Sequence, residues 1–293
     1  MQSIVETIFS RGAMNLKAIA KLTRVEHSFM LIFGVIAAIL LLDLQFTYLQ
    51  IISLFLCPFF ISSGAFALND YFDVESDRIN KKNTPIINGE ISTHQALWLA
   101  IGLLAMGIAI AYPLGVPAFA IAVLFALLSV AYDWKLKDIA LVGNSIIAAS
   151  MAIVFVFTDV ALSNNISLIT MMIALISFVF GLAREILKTV QDVEGDIKAR
   201  GSRTLPVLIG KGNSLILAQF LIVIGSVLAL YLYFSLPPLK GNIAYVIPAV
   251  GSILAFAYAS FLAYGGEREQ ERGRRISLYG LALGILAYIL GGI

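Results

Sequence analysis

The sequence has little charge, sulfur or imidazole. Of 293 residues only 13% are Asp, Glu, Lys or Arg, one is cysteine and two are histidine. The cysteine, Cys57, lies in an apolar run, which excludes an intrachain disulfide and leaves a packing role. His27 and His94 stand far apart with no His/Cys ligand spacing around them, so a zinc site is not expected. A formal net charge of +2 implies neither a strongly acidic nor a strongly basic partner, and no nucleic acid. Glu6, Arg11, Lys17, Lys21, Arg24 and Glu26 interrupt the first 28 residues before a signal-peptide core could form, so no cleaved targeting segment is expected.

What the chain has instead is apolar surface: 60% hydrophobic residues and a mean hydropathy of +0.93. The length would allow two soluble domains, but this composition argues for one membrane domain over 1–293. In hydrocarbon every backbone polar group must be satisfied within a helix or a closed barrel. The apolar runs are long and lack the alternation of a barrel, so the expected fold class is all-α, a polytopic helical membrane protein.

A spanning helix needs about 20 predominantly apolar residues, which gives nine candidates at about 26–44, 47–69, 95–113, 116–133, 139–158, 165–187, 213–235, 242–264 and 275–292. Pro113, Gly115 and Pro117 supply the turn between the third and fourth. Nine spans with the N-terminus in the cytoplasm put nineteen of the 20 lysines and arginines on the inner side, with only Lys240 outside. Of the 18 acids, only Asp43 and Asp159 then fall in outer loops, so chemistry is expected on the cytoplasmic side. Ahead of the first span, Ile4, Val5, Ile8 and Phe9, then Leu16, Ile19 and Ala20, recur at helical spacing and predict an amphipathic helix at the membrane surface.

Two acidic clusters close even-numbered spans. Span 2 ends in Asn69-Asp70-Tyr71-Phe72-Asp73-Val74-Glu75-Ser76-Asp77, and span 6 in Lys188-Thr189-Val190-Gln191-Asp192-Val193-Glu194-Gly195-Asp196. The pattern Asp-Val-Glu-x-Asp occurs in both, as in an internal repeat. On a continuous helix Asn69, Asp73 and Asp77 share one face, as do Lys188, Asp192 and Asp196. Like charges at that spacing repel, and more strongly near a low-dielectric membrane, so each pair calls for a cation. Mg2+ suits an oxygen-only ligand set and bridges carboxylates to substrate phosphates. Basic residues are interleaved: Arg78, Lys81 and Lys82 after the first cluster, Arg184, Lys188, Lys198 and Arg203 around the second, and Lys135 and Lys137 after Tyr132. Carboxylate-bound metal among cations is an arrangement that holds a diphosphate and stabilises it as a leaving group.

At Asn69-Asp70-Tyr71-Phe72-Asp73-(x)3-Asp77 and Asp192-(x)3-Asp196 the sequence resembles the UbiA superfamily of intramembrane prenyltransferases. Tyr132-Asp133-Trp134-Lys135-Leu136-Lys137 and Thr204-Leu205-Pro206-Val207 extend the likeness over nearly the whole chain. The resemblance implies nine helices around a central cavity, open laterally to the bilayer for an isoprenoid tail and capped by the cytoplasmic loops. It places Mg2+ at Asn69, Asp73, Asp192 and Asp196, gives Asp70 and Asp77 supporting roles, and sets Arg78, Tyr132, Lys135, Lys137 and Lys188 around the diphosphate. Two departures stand out: Thr189 where many members have a further Asp, and Thr84 where an Arg commonly precedes the Pro matched by Pro85. Lys81 and Lys82 are expected to supply the missing positive charge.

The implied reaction moves an isoprenyl group from its diphosphate to an acceptor. Among family members the first expectation is geranylgeranyl transfer to geranylgeranylglyceryl phosphate in archaeal lipid synthesis. The alternative is a 4-hydroxybenzoate-type aromatic acid, which Arg24-Val25-Glu26-His27 at the mouth of span 1 favours. An ion-coupled transporter, the reading from a different class, would place its acids near the bilayer midplane, whereas these sit at helix ends. Gly280 and Gly284 form a small-xxx-small pattern expected to serve close packing within the bundle. No obligate protein partner is evident.

The charge distribution predicts that single cysteines introduced at Lys81, Lys137, Arg200 and Arg272 are labelled by an impermeant maleimide from the cytoplasmic side only, and those at Asp43 or Lys240 from the outside only. Outside labelling at any of the first four sites would remove the nine-span topology.

Overall fold

The long apolar runs fold as helices. The computed structural model describes residues 15–79 and 82–293, side chains at 194–196 and 199–200 excepted. In chain order the helices are α1 (Leu16–Leu22), α2 (Val25–Leu42), α3 (Tyr48–Phe72), α4 (Val74–Ile79), α5 (Thr93–Ala111), α6 (Val116–Trp134), α7 (Val142–Ser163), α8 (Leu168–Arg200), α9 (Leu205–Ser235), α10 (Ile243–Leu262) and α11 (Glu267–Gly291). Among the described residues there is no strand, and nine helices are long and apolar enough to cross a membrane: all but α1 and α4. Their starts carry the capping chemistry that satisfies first-turn N–H groups: Thr47 with Gln50, Ser92 with Gln95, Ser167 at Thr170 and Asn242 at Tyr245.

Several boundaries differ from the sequence reading: α11 starts at Glu267 rather than at about 275, and four others differ for a local reason. Helix α3 continues to Phe72 and breaks at Asp73 before α4 restarts. Helix α7 starts at Val142 because Leu136–Asp138 forms a 3-10 turn and Leu141 takes a left-handed φ of 62°. Helix α8 is 33 residues long, about 50 Å at 1.5 Å per residue, so its last turns outrun a hydrocarbon layer of about 30 Å. Helix α9 begins at Leu205 with Pro206 in its first turn and kinks at Gly210, whose φ of 84° suits glycine. The expected N-terminal amphipathic face is only partly found. Ile4, Val5, Ile8 and Phe9 lie outside the described residues, and in α1 it is Ala18 and Leu22 that are buried, while Leu16 and Ala20 face outward. The Ala18–Leu22 stripe joins Ala67, Leu68, Ala96 and Ala100 of α3 and α5, small residues that let α1 settle close.

Sequential helices pack side by side, and α2 closes the ring by touching α3, α7 and α11. The α3/α5 approach is close at Gly64, where an added Cβ would meet the Ala100 carbonyl oxygen and Leu104 nitrogen at 3.0 Å. Cys57 is buried beside Gly107 in the same seam. In the α10/α11 pair Gly280 rests on the Phe256 ring and its carbonyl accepts from Ser252 Oγ at 2.7 Å, so this glycine serves packing within the bundle. Large apolar side chains such as Phe220, Val223, Val227 and Phe234 of α9 face outward. In water they would form an adhesive patch; lipid covers them in an integral membrane protein.

Asp159 is a further difference: it sits inside α7, buried, rather than in an outer loop. Its carboxylate accepts from Ser167 N (2.8 Å), Thr170 Oγ1 (2.7 Å) and Ser163 Oγ (2.7 Å), which ties the end of α7 to the start of α8. Asp159→Ala leaves the buried Thr170 hydroxyl and Ser167 N–H without this acceptor and is expected to cost about 1–3 kcal/mol. A lowered unfolding temperature of the solubilised protein checks this; an unchanged one removes the clasp.

Candidate active site

The break at Asp73 sets up one wall of a cavity. Asp73 N donates to Asn69 O at 2.9 Å as the α3 ladder ends, and Asp77 N donates to Asp73 O at 2.7 Å as α4 begins. The continuous face expected for Asn69, Asp73 and Asp77 is therefore bent between the two carboxylates. Each acid is served by its own cation. Lys137 Nζ lies 2.6 Å from Asp73 Oδ1, and Lys82 Nζ lies 2.9 Å from Asp77 Oδ1, at ion-pair distance though off hydrogen-bond alignment. Separating the acids and pairing each with a different lysine relieves the repulsion that a straight helix would impose. Asp70, one residue past Asn69, turns away to Arg24 Nη2 at 3.0 Å, and that guanidinium also stands 4.8 Å over the Phe66 ring.

The floor comes from the end of α6 and the turn after it. Asp133 is buried and accepts from Asn69 Nδ2 at 2.6 Å, with Lys137 Nζ 3.7 Å away. Behind Lys137 stands Gly143 of α7, where a Cβ would meet Lys137 Cα at 2.9 Å and Lys137 O at 3.0 Å. The turn is braced from the far side, since Arg203 N donates to Asp138 O at 3.1 Å and Ser202 Oγ to Asp138 Oδ1 at 2.6 Å.

The opposite wall is the second half of α8. Glu185 is buried between two cations, with Arg184 Nη1 at 2.9 Å and Lys188 Nζ at 2.8 and 3.0 Å from its oxygens. One turn on, Thr189 accepts from Asn144 Nδ2 at 2.7 Å and donates to Glu185 O at 2.7 Å. Gln191 Nε2 donates to Gln270 O at 2.7 Å, which ties α8 to the first turn of α11. Asp192 follows, exposed, with no hydrogen bond or ion pair to a described residue.

Between these walls is a cavity of about 400 Å³. Of the residues singled out from sequence, Asn69, Asp73, Lys82, Tyr132, Lys137, Lys188 and Asp192 line it. Asp70, Asp77, Arg78, Lys135, Arg184, Lys198 and Arg203 do not; Arg78 pairs with Glu75 at 3.0 Å. Lys81 and the side chain of Asp196 lie outside the described residues. Sequence reasoning passed over Glu185, Gln191, Asn144 and Gly143, which line the cavity, and Asp133, which holds two residues that do. For Asp133 and Glu185 a signal existed, because an acid within an apolar span is costly and marks function.

The donors that Asn69, Asp73 and Asp192 bring to the cavity are oxygens, with no sulfur or imidazole among its lining residues. That set fits a hard cation such as Mg2+. Among the described residues no three His, Cys, Asp or Glu converge closely enough to hold a metal by themselves. The fit is to a cation that completes its shell with water and substrate phosphate oxygens.

A ring of lipid-facing helices with a polar cavity lined by three lysines and three acids is the arrangement of an integral membrane protein with a charged site at its helix ends. The chain belongs to the UbiA prenyltransferase family, whose pattern matches residues 30–283, and it is a prenyltransferase. The digeranylgeranylglyceryl phosphate synthase of Archaeoglobus fulgidus is 35% identical over 280 residues, spanning 94% of this chain and 95% of that protein. The synthase of the same name from Thermococcus gammatolerans is 30% identical, spanning 96% and 100%. A solved structure described as giving insights into the biosynthesis of digeranylgeranylglyceryl phosphate synthase in membranes superposes with a TM-score of 0.74 at 29% identity, over 95% of this chain and 98% of that one. A UbiA homolog from Archaeoglobus fulgidus bound to GPP and Mg2+ shares the fold, with a TM-score of 0.67 at 19% identity over 93% and 99%.

Gly143→Ala adds a methyl group against backbone atoms of Lys137 that cannot swing aside, so the turn must shift and carry the ammonium off Asp73. Misplacing a charge-bearing group by up to about 1 Å is expected to lower kcat roughly 10- to 100-fold with little change in unfolding temperature. Wild-type turnover in this variant would show that the Lys137 position is not critical.

Proposed function

We propose that the protein transfers a geranylgeranyl group from its diphosphate to geranylgeranylglyceryl phosphate, with Mg2+ held between Asn69 and Asp73 on one side and Asp192 and Asp196 on the other. The observation that carries this reading is that Asp73 and Asp192, from helices far apart in sequence, face one cavity together with Lys82, Lys137 and Lys188. The full-length relatives named for the same lipid synthesis support the acceptor, and their names do not favour the aromatic-acid alternative. We also propose that residues 1–293 act as one domain with the N-terminus and the cavity on the cytoplasmic side, as the basic-residue distribution supports.

When bound, Mg2+ would offset the charge of the diphosphate and of the carboxylates around it. The chain's own residues do the rest. Lys137, fixed by Asp73, and Lys188, fixed by both oxygens of Glu185, present ammonium groups in set positions to the charge that gathers on the departing diphosphate. The allylic C–O bond breaks with its electron pair going to the diphosphate, the hydroxyl oxygen of the acceptor supplies the pair that forms the new C–O bond, and its O–H bond breaks with the proton passing to the departing diphosphate. Because the cations are already held by carboxylates, little reorganisation is needed as charge shifts. Tyr132 lines the same cavity, beside the diphosphate position that the sequence motif gives it.

A panel of geranylgeranyl diphosphate against geranylgeranylglyceryl phosphate and 4-hydroxybenzoate, read by product mass and pyrophosphate release, tests substrate and reaction together. The expected outcome is a digeranylgeranyl product with the lipid acceptor only, lost on chelation of divalent ions and in Asp73→Ala or Asp192→Ala. Transfer to the aromatic acid alone would reverse the acceptor assignment, and full activity in either variant would reject the two-walled site.

A further inference from the structure

Asp133 does not line the cavity, yet it touches two residues that do. Its Oδ1 accepts from Asn69 Nδ2 at 2.6 Å and lies 3.7 Å from Lys137 Nζ, and its side chain is 2% exposed. Taking a carboxylate out of water at the end of an apolar helix is costly, and a neutral group of the same shape would pack as well. What a carboxylate offers that a neutral amide does not is one-sidedness: when ionised it only accepts hydrogen bonds. The primary amide of Asn69 has no intrinsic preference for which end it turns to a neighbour. Facing an acceptor-only partner, it must present its NH2 group, which leaves its carbonyl oxygen on the other branch of the amide. Turned the opposite way, the amide would aim a donor where a cation ligand must offer a lone pair. The neighbouring Lys137, bonded to Asp73 at 2.6 Å, keeps Asp133 from facing an uncompensated negative charge.

We propose that Asp133 is a positioning residue that fixes the Asn69 amide with its oxygen available to a divalent cation, so that Asn69 serves as a neutral ligand opposite Asp192. This rests on the reading of the cavity as a magnesium–diphosphate site. The inference gives Asp133 a job that neither its place in the helix nor its charge alone requires, and it makes the pair Asn69–Asp133, rather than Asn69 alone, the unit that substitution must respect. Asp133→Asn keeps shape and volume but puts an amide opposite an amide, so either group can donate to the other and the direction is no longer set. Exchanging the two, Asn69→Asp with Asp133→Asn, restores one donor and one acceptor across the contact and again leaves an oxygen over.

The test measures binding of Mn2+ in the presence of inorganic pyrophosphate, which supplies the phosphate oxygens of the site, to the solubilised full chain by electron paramagnetic resonance, corrected for the Mn2+–pyrophosphate signal and with unfolding temperature recorded alongside. Asp133→Asn is expected to weaken Mn2+ binding roughly tenfold or more, the scale of lost support behind a metal ligand. The two changes are expected to be non-additive, the double variant binding more tightly than the product of the single effects allows. Wild-type affinity in Asp133→Asn overturns the proposal, and so does strict additivity, which would mean that each residue acts through charge or packing alone. A wild-type protein that binds no divalent cation would overturn both this inference and the metal reading beneath it, whereas unaltered wild-type binding with unaffected variants overturns the inference only.

Discussion

A polar group inside hydrocarbon must find its partner inside the protein, and the arrangement of this molecule follows from that constraint. Among the described residues nine spanning helices satisfy their own backbones, and the charged groups buried within the spans, such as Asp159, Arg184 and Glu185, have side-chain or backbone partners. Asp159 shows the rule at its simplest, with three donors gathered on one carboxylate. At the opposite extreme stands the cavity, where acids and cations from several elements are brought together in one place.

On the wall opposite α8, whose Glu185 is held by Arg184 and Lys188 of its own helix, the acids are matched across elements. Asp70 takes Arg24 from the chain before α2, Asp73 takes Lys137 from the turn after α6, and Asp77 takes Lys82 from beyond α4. Only Lys137–Asp73 is buried on both sides, and breaking it by removing one partner costs about 3–5 kcal/mol, whereas Arg24 and Lys82 reach their acids from the solvent side, where screening reduces the gain. The pairs therefore stiffen the helix ends as well as neutralise them. Stiffness is what electrostatic catalysis needs, because a charge already in place does not have to be reorganised when the diphosphate departs. The open carboxylate of Asp192, on the projecting end of α8, faces this braced wall across the cavity.

Much of the architecture was legible from the chain. Apolar runs of about 20 residues mark spans because bilayer thickness and helix rise leave no other length. Asn69, Asp73, Lys137, Lys188 and Asp192 stood out because charge is rare in this sequence and falls in two matching clusters. Asp133 was harder to read, because the approach of Asn69 from α3 gives it its hydrogen-bond donor, whereas the partners of Glu185, Arg184 and Lys188, lie beside it in sequence and were there to be seen. Gly143 carried no sequence signal at all, since its role is to leave room for the Lys137 backbone.

Helix number, the membrane environment, the acidic clusters and the chemistry of their side chains were determined by the sequence alone, because they depend on local composition and on spacing along one helix. The tertiary structure decided where α3 breaks, which lysine answers which carboxylate, and that Asp73 and Asp192 share one cavity. Helical spacing places side chains relative to their own axis. It carries no information on how distant axes cross, and the pairing of charges between helices is set only when those axes pack.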